Sequence, residues 1–352
     1  MEALIAVLPG DGIGPEVMRE GLKALNAVAE AGGHRFELRE ARIGGAAIDA
    51  TGTALPDDTR ALVAEADAVL LGAVGGPKWS DPNAAVRPEQ GLLALRAGMG
   101  VYANLRPVKT HPVLYPASPL RPEYLEGVDI LVVRELTGGV YFGTKQRDEN
   151  SASDVCKYER HEIERVVRMA GELARERRRL VTSVDKANVM ETSRFWRSTV
   201  DELFAEEFAD LQLEHLLADA AMMHLLSRAR DFDVIVTENL FGDLLTDEAS
   251  MLCGSLGVLP SASLNQDRKG LYEPIHGSAP DIAGRNIANP CGMILSIAML
   301  LQHTLGLSDE ARRLEKAVYK ALEDGVRTGD VAGPDIEPVG TDAMGNAVVA
   351  EF

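Results

Sequence analysis

The sequence predicts an α/β fold built on a largely parallel sheet, and three features of the chain carry that expectation. Short apolar runs of strand length recur along it, glycine- or proline-marked turns follow them, and segments of helical spacing separate one run from the next. Residues 4–8 form the first such strand. Residues 9–15 supply a glycine-rich turn, and a helix is expected over about 16–31, with Pro15 at its first turn, where no backbone donor is needed. Residues 36–42 read as a strand, Asp57–Glu65 as a helix, and 68–71 as a buried strand closed by Gly72. Further strands are expected at 129–133, 180–184, 211–216 and 234–236. The most apolar late segment, 293–301, falls well short of the roughly 20 residues that span a bilayer and reads as a buried helix.

A chain of 352 residues can build two core-forming units or one large one. Hydrophobic residues at 46% and charged residues at 26% are ordinary for a globular protein and exclude general disorder. The formal net charge of −18 repels phosphate backbones and anionic lipid, so neither nucleic acid nor a membrane is expected as the main partner. A local group of arginines can still reverse the potential in one place. Cys156, Cys253 and Cys291 are odd in number and widely spaced, which fits a reducing cytoplasm and no disulfide framework or zinc site. Met1-Glu2-Ala3-Leu4 lacks the basic and apolar regions of a signal peptide.

Just beyond the ends of the four later strands stand Arg134, Lys186, Asp219 and Asp243. Ligands of α/β sheets bind outside the carboxyl ends of strands, so four charges there suggest a site, although charged residues also simply cap helices and flank strands. Gly10-Asp11-Gly12-Ile13-Gly14-Pro15 invites a Rossmann reading, but the third glycine comes one residue early and a proline follows it. A tight strand-to-helix turn near a ligand fits better.

Asp243 and Asp247 lie four apart, so a helix puts both carboxylates on one face, where they repel unless a cation lies between them. Asp219 begins another expected helix and offers a third oxygen. All-oxygen ligation suits Mg²⁺ or Mn²⁺, not zinc. The same spacing also suits an N-cap at Asp243 and a solvated acid at Asp247. Arg96, Arg106 and Arg134 are guanidinium forks able to grip a diacid, or else ordinary surface ion pairs. Lys186 and Tyr141 are candidates for proton transfer if their usual pKa values, about 10, are lowered, as a nearby cation would do. Tyr141 equally suits a half-buried strand position.

These residues sit in ordered motifs: NLRP from Asn104, RELTGG from Arg134, YFG from Tyr141, VDKANV from Val184, FGDLLTD from Phe241 and HGSAPDIAGRNIANP from His276. In that order they resemble the isocitrate/isopropylmalate dehydrogenase family of β-decarboxylating dehydrogenases over nearly the whole chain. The resemblance implies a two-domain fold that is not a Rossmann fold, one domain joining residues 1–101 to 254–352 and the other spanning 102–253. It implies NAD-dependent oxidation and decarboxylation of a 2-hydroxy diacid in a homodimer. Arg96, Arg106 and Arg134 would hold the substrate carboxylates, Lys186 would take the C2 hydroxyl proton, and Tyr141 would protonate the enol left after CO₂ departs. Asp219, Asp243 and Asp247 would ligate Mg²⁺ or Mn²⁺, with Lys186 and Asp219 reaching across from the partner subunit.

On the same resemblance, His276, Gly277, Ser278, Ala279, Asp281, Ile282 and Asn289 would form the cofactor loop, with Glu89 near the nicotinamide. Asp281 would accept from the adenosine ribose and repel a 2′-phosphate, which favours NAD over NADP. Leu92, Leu93 and Val189 would offer an apolar wall to an isopropyl group, making (2R,3S)-3-isopropylmalate the expected substrate and leucine biosynthesis the expected role. Its three carbons are worth only about 2–3 kcal/mol, so smaller alkylmalates would stay usable but poorer. The leucines also suit the core face of a helix. D-malate, tartrate and homoisocitrate are the alternative substrates, and a regulatory paralogue without catalysis is the alternative role. Three stretches depart from the family's pattern: Ala97-Gly98 after Arg96, the polar segment 144–156, and Glu238 before Asn239.

Overall fold

The computed structural model describes residues 1–81, 84–333 and 335–352. It divides into two compact units, Met1–Val101 with Gly254–Phe352, and Tyr102–Cys253.

In the first unit, Glu2–Gly10 pairs in parallel with Arg35–Glu40 on one side and Ala68–Ala73 on the other. Gly270–Pro274 runs parallel to Ala68–Ala73 and antiparallel to Pro260–Leu264. The first three strands in sequence therefore stand in the order second, first, third, which is not the 3-2-1 order of a Rossmann half. Ala68–Ala73 and Gly270–Pro274 are buried at every position, as strands covered on both faces must be. Cys291–His303 is buried from Cys291 to Leu301, the mark of a helix apolar on all sides and enclosed by core. It packs so tightly on the helix Gly14–Gly32 that a Cβ at Gly21 would come within 2.8 Å of Met293 Cγ. No helix among the described residues is long and apolar enough to cross a membrane.

The glycine-rich turn closes the first strand. Gly10 has φ +74°, and a Cβ there would stand 1.8 Å from the Ala73 carbonyl oxygen. Asp11 is buried behind it, where Oδ2 accepts from the Gly45 and Gly75 amides and Oδ1 from the Ala46 amide. One carboxylate thus satisfies three backbone donors that would otherwise be stranded. Gly10→Ala should therefore destabilise the protein by about 2–4 kcal/mol through left-handed strain and backbone displacement, read as a fall in the urea midpoint.

In the second unit, Asp129–Glu135 pairs antiparallel with Ala103–Lys109 and parallel with Val234–Thr237. Leu180–Asp185 runs parallel to Val234–Thr237, and Gln212–Leu217 parallel to Leu180–Asp185. The polar segment after YFG forms a small exposed hairpin, Lys145–Arg147 with Ala152–Asp154. Arg134 lies inside its strand, not beyond it, because the pairing with Asn104 extends that strand to Glu135.

Candidate active site

In the second unit, strand register sets the cationic half of the site. Arg134 stands opposite Asn104, and side chains two apart share a face, so Arg106 joins Arg134 on one side of the sheet. The helix Asn239–Ser250 lies against these strands and carries the acids. Its N-cap is Glu238, whose carboxylate accepts from the Phe241 amide at 2.9 Å. Glu238 is thus the capping group, and Asp243 is left on the helix face one turn before Asp247.

Three side chains converge on Asp243. Arg134 Nη1 makes a short ion pair with Oδ1, Tyr141 donates to Oδ2 at 2.9 Å, and Arg106 Nη2 stands 3.8 Å from Oδ1. Asp247 lies one turn on, 3.9 Å from Arg106 Nη1. Arg106 is aimed by Asn104 Oδ1 at 2.8 Å and Thr246 Oγ1 at 2.6 Å. Asn239 Oδ1 accepts from both Nε and Nη2 of Arg134, at 3.1 and 2.8 Å. Burial, and then the Asp243 charge, hold the Asp247 carboxyl above the usual carboxylate range. Burial and the bond to Asp243 also push the Tyr141 phenol up, opposite to the lowering expected for a proton-transfer tyrosine. Tyr141 is a protonated donor on a 3₁₀ turn, Gly139–Tyr141, and not a strand aromatic.

Lys186 and Asp219 form a separate pair, with Lys186 Nζ donating to Asp219 Oδ1 at 2.5 Å. That bond holds the Asp219 carboxyl below its ordinary range. The pair forms because Asp185 and Leu217 are register partners on adjacent parallel strands, so the residues just beyond them meet. Among the described residues, no three His, Cys, Asp or Glu side chains gather within one chain. Asp219 therefore does not join Asp243 and Asp247 here, since a whole strand, Leu180–Asp185, separates the strands that lead to them. Val189, on the turn after Lys186, is 67% exposed.

In the first unit, the helix Pro88–Met99 turns Pro88, Gly91, Leu95 and Met99 inward. Leu92 is half-buried and Leu93 is 40% exposed, so Leu93 is not a core-face residue. Arg96 is no surface ion pair either. It is largely enclosed, with Nη2 donating to Glu273 Oε1 at 2.8 Å and Nε buried without a hydrogen-bond partner. The exposed Glu89 faces Gly75, whose added Cβ would stand 3.1 Å from Glu89 Oε1.

The loop after Gly270–Pro274 carries His276, Gly277, Ser278, Ala279, Asp281 and Ile282. It abuts the glycine-rich turn, where the Ile13 amide donates to the Ser278 carbonyl at 2.8 Å and a Cβ at Gly12 would come within 2.0 Å of the same oxygen. Ala279 has φ +37°. His276 Nδ1 bonds the Gly277 carbonyl at 2.9 Å, while Nε2 is buried without a partner. Burial lowers the His276 pKa, which keeps the ring neutral. Asn289 accepts from the Cys291 amide and donates to Asp330 Oδ2, each at 3.0 Å. Asp281 is exposed.

The groups that aim the arginines, Asn104, Asn239, Thr246 and Glu273, are not among the residues singled out from the sequence. Asn104, Asn239 and Thr246 lie within or beside quoted motifs, so proximity in sequence was the available signal. Glu273 is 177 residues from Arg96 and gave none.

The family model for isocitrate/isopropylmalate dehydrogenase matches residues 4–348. The chain is 57% identical to the 3-isopropylmalate dehydrogenase of Anaeromyxobacter dehalogenans over 95% of its own length and 96% of the relative's. It is 53% identical to that of Rhodopirellula baltica over 100% and 99%. Among solved structures, the isocitrate dehydrogenase of Methylococcus capsulatus superposes with a TM-score of 0.87 at 34% identity, covering 99% of each chain. A β-decarboxylating dehydrogenase of Thermococcus kodakarensis gives 0.81 at 34% identity, covering 99% of this chain and 96% of the other.

Proposed function

Because the chain belongs to the isocitrate/isopropylmalate dehydrogenase family, we propose that it oxidises and decarboxylates (2R,3S)-3-isopropylmalate to 2-oxo-4-methylpentanoate with NAD and Mg²⁺ or Mn²⁺, a step of leucine biosynthesis. The observation that carries the reading is the second unit's cluster, in which Arg106, Arg134 and Tyr141 surround two carboxylates one helical turn apart.

The donor set suits a hard cation. Asp243 and Asp247 offer oxygens only, and the raised Asp247 carboxyl is relieved once a divalent ion shares its charge. Asp219, paired with Lys186, would supply the third carboxylate from the other subunit of a homodimer. For the dinucleotide, the orphaned Nε2 of His276 offers a buried polar atom, and an added Cβ at Gly277 would meet nothing within 4 Å, so the backbone there is open to approach. When bound, NAD would supply the hydride acceptor and the divalent cation the Lewis acidity that the oxidation needs.

The chain's own residues do the rest. Arg106 and Arg134 grip the carboxylates as planar forks. Lys186 takes the C2 hydroxyl proton. Tyr141, kept protonated, gives its proton to the carbon that loses CO₂. Leu92 and Leu93 would meet the alkyl group. Its burial is worth roughly 2 kcal/mol, so kcat/KM for 3-isopropylmalate should exceed that for unsubstituted malate by about 30-fold in a coupled NADH-formation assay. A preference for malate, tartrate or homoisocitrate would overturn the substrate assignment. Asp281 would read the ribose. Asp281→Lys reverses the charge facing a 2′-phosphate, and even with solvent screening the ratio of NADP to NAD turnover should rise at least about tenfold; an unchanged ratio removes Asp281 from the cofactor site.

A further inference from the structure

The turn that carries Lys186 has no regular structure of its own. The chain leaves the sheet at Asp185 and enters the next helix at Glu191. Lysine has four rotatable bonds, so the reach of its Nζ depends on how firmly its Cα is held. Here that hold comes from several hydrogen bonds. Asp185 is almost fully buried, and its carboxylate takes the guanidinium of Arg197 by two bonds, Nε to Oδ2 at 2.8 Å and Nη2 to Oδ1 at 2.9 Å. The same Oδ1 accepts from the Ala187 amide at 2.9 Å, which closes an Asx turn over Lys186. Arg194 Nε donates to the Ala187 carbonyl at 3.0 Å, and the Lys186 carbonyl accepts from the Val189 and Met190 amides. The helix Glu191–Glu207 is itself fixed on the strand by Trp196 Nε1, which donates to Ser183 Oγ at 3.2 Å.

We propose that the Asp185–Arg197 pair is a positioning device for Lys186: Arg197 orients Asp185 through its two-point fork, Asp185 holds the Ala187 amide, and that turn places the lysine where it must meet the substrate hydroxyl. The inference rests on the reading of Lys186 as the base. The physical case is that a buried carboxylate keeps its direction only while its oxygens are held by partners. Arg197 supplies a planar two-point fork for it that a lysine at the same place cannot reproduce. A displacement of about 1 Å at a proton-transfer group can cost on the order of 100-fold in rate.

The test measures Arg197→Met, Arg197→Lys and the double variant Arg197→Met/Asp185→Asn, with Lys186→Ala as control, each checked for folding by thermal melting. Arg197→Met should lower kcat roughly 10- to 100-fold while KM for the hydroxy acid and Kd for NAD stay within about threefold. A substrate deuterated at C2 should then show a larger isotope effect than with the unaltered enzyme, because the chemical step has become slower. Arg197→Lys should fall between, and it serves as the test if Arg197→Met does not fold. The double variant should regain most of the lost kcat, since a neutral asparagine still accepts from the Ala187 amide and needs no counter-ion. If Lys186→Ala abolishes turnover while Arg197→Met and Arg197→Lys keep kcat and isotope effect unchanged, the positioning role falls and the base assignment stands. If Lys186→Ala retains turnover, the base assignment falls and takes the positioning role with it.

Discussion

Replacing Lys186 by alanine should lower kcat by roughly 10²–10⁴-fold, the range that general-base catalysis contributes, while leaving NAD binding nearly intact. Lys186 Nζ donates to Asp219 at 2.5 Å within the second unit, whereas the loop proposed to hold NAD follows Gly270–Pro274 in the first. A second substitution separates the base from a mere counter-ion. Lys186→Arg keeps a cation beside Asp219, but a guanidinium does not give up its proton near neutral pH. If Lys186 acts as the base, both variants lose comparable turnover. Full activity of Lys186→Arg would show that only its charge matters. The measurement is initial-rate NADH formation together with NAD titration of each variant.

Removal of divalent cation should abolish turnover by about 100-fold or more, and Mg²⁺ or Mn²⁺ should restore it. Asp243 is taken up by Arg134 and Tyr141, and partial desolvation together with that neighbouring charge raises the Asp247 carboxyl although most of its side chain is exposed. A cation binding there has to share Asp243 with the arginine, so affinity depends on Asp247 more than its exposed position suggests. Asp247→Asn should raise the Mg²⁺ concentration for half-maximal activity at least about tenfold, since one full negative charge leaves an all-oxygen site. Cation binding should also raise the melting temperature of the unaltered protein by mass action, and less so for Asp247→Asn. Turnover undiminished by chelator, with no thermal shift on adding Mn²⁺, would remove the metal from the proposal.

Much of the fold was legible in the residues. The helix Asp57–Glu65 and the strands beginning at Ala68, Asp129, Leu180 and Val234 start where apolar runs meet turn residues. The Gly10–Pro15 spacing was enough to set aside a Rossmann half, and the strand order agrees. The misplacements are local. The strand Arg35–Glu40 stops two residues early, and Asp129–Glu135 runs two residues longer because pairing with Ala103–Lys109 continues past its apolar stretch. Pairing partners, not propensity, end a strand.

The site divides in the same way. Residue types and their local spacing were determined by the sequence: two acids one helical turn apart, a lysine and an acid each just past a strand, and arginines in motifs that resemble a known family. Side-chain partnership was decided only in three dimensions. Nothing along the chain says that Asn239 orients Arg134, that Glu238 and not Asp243 caps the helix, or that Arg96 lies against Glu273. Nor does it say that Tyr141 gains a firmer hold on its proton. The reason is physical. Periodicity and turn chemistry act over a few residues, whereas hydrogen-bond direction and charge solvation depend on which distant groups the packed sheet brings within about 3 Å.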